Sequence, residues 1–233
     1  MVRRHEEAAM KRMVCLLLIA LAATMLAVWN GEAGEMTGMN LLDEVGAGNV
    51  EAVRSMLADS AETEVRDAEG RTPLLLATHQ DKVEIAGLLI EAGADVNAKD
   101  AIHDTPFLYA GGEGRDAILR LILATGKANL RDTNRYGGVA LIPAAHHGHP
   151  SAVRILLGTD IDIDHVNNLG WTALIEAVIL SDGGPVHQEI VGLLVDAGAD
   201  REIADRDGVM PLEHARRRGF KEMAERIAAG PRS

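Results

Sequence analysis

Three histidines and a glutamate in the second half of this chain carry the donor types of a zinc or nickel site: His146, His147, His165 and Glu176. Their spacing argues against a shared ion. His146 and His147 are adjacent, and on a helix adjacent side chains diverge by about 100°. No two histidines stand four apart, and no His-Glu-x-x-His is present. These groups read as polar surface contacts, and no metal is expected. Nucleophilic chemistry has less to build on. The single cysteine, Cys15, lies in an apolar run near the N-terminus, and there is no Gly-x-Ser-x-Gly. Gly111-Gly112-Glu113-Gly114 resembles a phosphate loop, but no strand precedes it and no Lys-Ser/Thr follows. It reads as a turn at a helix end. No catalytic residue, no cofactor and no enzymatic activity are expected.

Binding chemistry is better represented. Aromatic residues make up only 3% of the chain, yet Tyr109, Tyr136 and Trp171 fall close together in sequence register, with Arg135 beside them. Trp, Tyr and Arg dominate binding energy when a partner desolvates them. The other reading is that Trp171 and Tyr136 pack on each other and stiffen the scaffold.

The elements that position these residues repeat. Gly70-Arg71-Thr72-Pro73-Leu74 returns as His103-Asp104-Thr105-Pro106-Phe107, Gly137-Gly138-Val139-Ala140-Leu141, Gly170-Trp171-Thr172-Ala173-Leu174 and Gly208-Val209-Met210-Pro211-Leu212, in steps of 33, 34, 33 and 38 residues. Each unit predicts a β-turn finger, a short inner helix, a tight turn and an outer helix. Thr72 and Thr105 stand at N-caps, and Pro73, Pro106 and Pro211 at first helical positions, where no N–H is needed. Outer helices such as Val83–Ile90 and Glu189–Val195 show apolar residues at helical spacing. Gly93 and Gly198 stop two of them. The first unit lacks the finger and the last ends in a polar face, as terminal caps do.

The period and the Thr-Pro-Leu signature resemble ankyrin repeats. The resemblance covers about residues 37–229, and 134–220 is similar to secreted bacterial members. It implies an all-α solenoid of about six helix-turn-helix units, approximately 37–66, 67–99, 100–133, 134–166, 167–204 and 205–229. It implies a cofactor-free protein-binding scaffold, expected to be a monomer, and for some secreted relatives a link to oxidative-stress defence. Aligning the units separates scaffold from free columns. Ala77, Ala110, Ala144, Ala177 and Ala215 form a core column; His149 and His187 fall where turn packing is expected. Tyr109, Arg135, Tyr136, His146, His147, His165, Trp171 and Glu176 occupy variable columns on the concave side and are the candidate partner-binding residues. A small-ligand or metal site in that same cleft is the alternative. The insertion Ser181-Asp182-Gly183-Gly184-Pro185 reads as a mobile loop beside the concave face, and Arg216-Arg217-Arg218 as a solvated stripe.

The formal net charge of −12 makes nucleic acid an unfavourable partner. The N-terminus differs from the rest. Met13 to Val28 is an apolar run of 16 residues, preceded by Lys11-Arg12 and followed by Gly31-Glu32-Ala33-Gly34. This is the layout of a secretory signal over residues 1–33, cleaved after Ala33. As a helix it would span about 24 Å, short of a ~30 Å hydrocarbon core. A periplasmic or secreted product with no membrane attachment is expected, carrying a charge of −13 and no cysteine. N-terminal sequencing of the native protein should therefore read from near Gly34; a full-length cytosolic chain would refute export.

Overall fold

The computed structural model describes residues 40–231, and the signal-like segment lies outside them. From Leu41 onward the chain is one compact unit. Its inner helices are α1 (Leu41–Ala47), α3 (Pro73–His79), α5 (Pro106–Gly112), α7 (Leu141–His146), α9 (Ala173–Ile179) and α11 (Pro211–Arg217). The outer helices are α2 (Val50–Ala58), α4 (Val83–Glu91), α6 (Asp116–Ala124), α8 (Pro150–Leu157), α10 (Pro185–Asp196) and α12 (Lys221–Ala229). Inner helices pack on inner helices of neighbouring units, and outer on outer. The result is the two-layered helical stack expected from the repeats.

The inner helices are too short to be stable alone. They exist because nearly every side chain is buried: in α3, Pro73 through Thr78 are all in the core. Thr72, Thr105 and Thr172 accept hydrogen bonds from the amides of Leu75, Leu108 and Ile175, capping α3, α5 and α9. The alanine column is fully buried in all five units, since a larger side chain would hold neighbouring helices apart. Outer helices bury an i, i+1, i+4 stripe, for example Ile118, Leu119 and Ile122 in α6.

The fingers share one construction. Asp67, Asp100, Asn134, Asn167 and Asp205 each present one side-chain oxygen to two backbone amides, two and four residues later. The backbone closes the same loop, and the residue three positions on has positive φ: glycine in four fingers, His103 at φ 70° in the other. Adjacent fingers also join directly, through Ala101 N–H to the Glu69 carbonyl and Asn168 N–H to the Tyr136 carbonyl.

A second column locks the tight turns. Lys82 reaches back to the Val45 and Gly46 carbonyls, and the His187 Nε2 lies 3.0 Å from the His146 carbonyl. The His149 ring covers Gly114, and Phe220 covers Gly183; a Cβ on either glycine would clash with the covering ring. His149 and His187 thus serve the turn packing expected of their column. The insertion at 181–185 is tied down rather than free. Ser181 is buried, Phe220 packs on Gly183, and Arg218 donates to the Ser181 carbonyl. Arg216, Arg217 and Arg218 are all exposed, as a solvated stripe requires, and Arg218 adds a tie to this loop. Gly111 and Gly112 belong to the last turn of α5, so only Glu113 and Gly114 form the turn expected there.

Ala144→Glu should cost about 3–5 kcal/mol, because it places an unpaired carboxylate between packed helices. Pro106→Ala at a first helical position should cost under about 1 kcal/mol. Urea denaturation compares them, and equal losses would mean the repeat register is misplaced.

Candidate functional site

A cleft of about 400 Å³ opens among the inner helices α5, α7 and α9 and the fingers at 134–138 and 167–169. Six of the eight candidate residues line it: Tyr109, Arg135, Tyr136, His146, His147 and Glu176. His165 and Trp171 do not. The His165 Nε2 lies 2.7 Å from the Gly137 carbonyl, so the ring ties the end of its unit back to the finger that opens it instead of facing the cleft. Trp171 is half-buried at the base of its finger, where its amide is held by Asn167.

Neighbouring units position the cleft residues. Tyr109 stacks on His79 of the preceding unit, ring centroids 3.7 Å apart and nearly parallel. Burial lowers the His79 pKa, so a neutral imidazole supports the phenol ring. Tyr136 is 51% exposed at the fingertip, with the Arg135 guanidinium 4.9 Å from its ring centroid. Ring contacts among the described residues do not pair Trp171 with Tyr136.

The two adjacent histidines turn to opposite neighbours. His146 faces Glu176 of the following unit at 3.7 Å, while the His147 Nδ1 lies 3.0 Å from the Gly112 carbonyl and 3.1 Å from Glu113 Oε1 in the preceding one. His146, His147, His165 and Glu176 thus do not gather round one point. The divergence follows from the helical 100° step.

Glu176 differs most from its sequence reading. It sits in a column taken as surface, yet it is 5% exposed, because its side chain turns under the finger. There the Asn167 Nδ2 donates to its Oε1 at 2.7 Å. Burial pushes its pKa up to about 7, against the lowering effect of the Asn167 bond. Burial, then His147 and His187, lower the His146 pKa. At neutral pH the two groups therefore meet as a neutral ring and a carboxyl that is partly protonated, not as an ion pair. Asp104 also lines the cleft, and burial followed by the nearby Asp100 raises its pKa. Asp104 and Glu113 stand in concave columns but are not among the sequence candidates, and neither is Asn167. The Asx column three residues before each finger glycine was the available signal for Asn167.

The raised pKa of Glu176 makes stability pH-dependent. Between an ordinary value of 4.5 and about 7 the folded chain holds a proton that the unfolded chain has released. Stability contributed by the protonated form therefore falls as pH rises through that window, and the penalty persists above it. Glu176→Gln retains the acceptor for Asn167 without the charge. It should match the parent at pH 4 and exceed it at pH 8, by up to about 3 kcal/mol. Denaturation at both pH values measures this; the same difference at each would refute a buried, protonatable Glu176.

Comparison with known proteins agrees with this architecture. The family model described as "Ankyrin repeats (3 copies)" matches residues 107–205 and 141–231, and "Ankyrin repeat" matches 69–101. The chain is 40% identical over 185 residues to the Escherichia coli ankyrin repeat protein YahD, covering 78% of this chain and 92% of that one. Among solved structures, an ankyrin repeat domain from Acinetobacter baumannii is 47% identical, with a TM-score of 0.78 and coverage of 81% and 96%. The ankyrin repeat domain of Bcl-3, of the IkappaB protein family, is 27% identical with a TM-score of 0.74, covering 84% of this chain and 87% of that domain. Helical pairing, caps, finger turns and these matches lead to one assignment: the chain belongs to the ankyrin-repeat family.

Proposed function

We propose that this protein is an exported scaffold that docks a protein partner in the cleft between α5, α7 and α9, acting as a monomer and without chemistry of its own. Ankyrin repeats generally mediate protein–protein interaction, so the open questions are the surface and the compartment. The observation that carries the surface is the convergence of variable-column residues on one preformed cleft. Tyr136 is exposed with Arg135 laid over it, and Tyr109 is held by His79. Side chains fixed before encounter lose little entropy on binding. The cleft floor adds apolar surface from Leu108, Ile142 and Pro143. Export rests on the sequence of residues 1–33. An envelope stress role rests on the resemblance to secreted bacterial members.

Affinity recovery from the native envelope fraction identifies the partner. Tyr136→Ala and Arg135→Ala should then each weaken its binding by roughly 1–3 kcal/mol with stability nearly unchanged. Glu84→Ala, on an exposed outer-helix face where it pairs with Arg54, should bind as the parent does. Normal binding by both cleft variants with loss in Glu84→Ala would move the interface to the outer helices.

A further inference from the structure

We propose that Glu113, His147 and His149 form a binding site for a divalent transition-metal ion at the edge of the cleft. One ligand atom from each lies within 4.8 Å of the others. The set differs from the one the sequence suggested. It draws on two units: Glu113 is the C-cap of α5, while His147 and His149 are the C-cap of α7 and the N-cap of α8. Gly148 between them has φ 78°. That left-handed turn brings side chains two residues apart to the same side, and their rings stand perpendicular with centroids 6.3 Å apart.

Both imidazoles are oriented from behind. The His147 Nδ1 lies 3.0 Å from the Gly112 carbonyl and 3.1 Å from Glu113 Oε1; with its proton directed to these acceptors, Nε2 carries the free lone pair. A backbone carbonyl on the second nitrogen is the usual way a metal-bound histidine is held. The His149 ring rests on Gly114, where a Cβ would approach to 2.7 Å, so only glycine lets the ring lie there. The charges acting on His149 are mixed: Glu113 and Asp116 on one side, Arg115 and His147 on the other. The buried Asp116 Oδ1 has no hydrogen-bond partner. Two imidazoles and one carboxylate leave a coordination position for water. They suit Zn(II) and its neighbours in the transition series, not Ca(II) or Mg(II), which take oxygen donors.

The proposal is independent of the docking reading, and Zn(II) itself is the probe. Zn(II) is titrated calorimetrically into the untagged full chain carrying Cys15→Ser, which removes the one competing thiol. One equivalent should bind, and Ca(II) should give no heat. His147→Gln and His149→Asn should each weaken Zn(II) by more than the ~10–100-fold that loss of an outer-shell partner costs. His103→Asn, on an exposed finger, should bind as the parent. Co(II) in place of Zn(II) should give a visible ligand-field absorption that both ligand variants lose, and urea midpoints show whether each variant is folded. Unchanged affinity in the folded His147→Gln/His149→Asn double variant would overturn the site. So would loss of binding in His146→Asn alone, which would place the ion on the Glu176 side.

Discussion

In each of the five fingers a single Asp or Asn oxygen accepts two backbone amides, and the stack depends on that contact. A finger is a loop, so its amides have no continuous strand or helix to pair with. Where burial shuts out water, an amide left unpaired would cost about 1–3 kcal/mol. The Asx oxygen satisfies two of them, and the backbone closes the rest of the loop through the positive-φ residue three positions on. With the finger rigid, the next inner helix starts at a fixed place and angle. The Thr caps at 72, 105 and 172 then need only complete an orientation already set.

The second atom of the same side chain carries the variation. In Asp67 it pairs with Arg71, in Asp205 with His214, and in Asn167 with Glu176. The chemistry matches in each case. A cation or imidazole meets the aspartates, and a carboxyl meets the neutral amide, where a second carboxylate would repel it. Glu176 can be buried because residue 167 is Asn. Scaffold and cleft are therefore coupled: the group that builds a finger also holds the residue beneath it.

Between units, the column of Lys82, His149, His187 and Phe220 covers the tight turn of the unit before. Each covering side chain extends the stack by one contact that spans about one repeat. The longer fifth unit obeys the same arrangement, with α10 gaining length at its N-terminus while Phe220 still finds Gly183. Stability in such an array is a sum of units and their interfaces. A cleft built across α5, α7 and α9 inherits rigidity from two interfaces at once.

Local chemistry was legible in the sequence. The period, the Thr caps, the prolines at first helical positions and the stop glycines each depend on neighbours within one unit. A side chain four residues away, or a backbone angle, decides them. Tertiary structure decided what lies between units. Tyr109 and His79 are thirty residues apart but stack, and Glu113 meets His147 and His149 only because equivalent turns stand side by side. His165 was grouped with the cleft residues, yet its ring turns to the Gly137 carbonyl. Column alignment fixes where a Cα stands, not which neighbouring unit its side chain leans toward. That choice is made by the hydrogen-bond partner or glycine gap the adjacent unit presents, and so it is a property of the stack and not of the repeat.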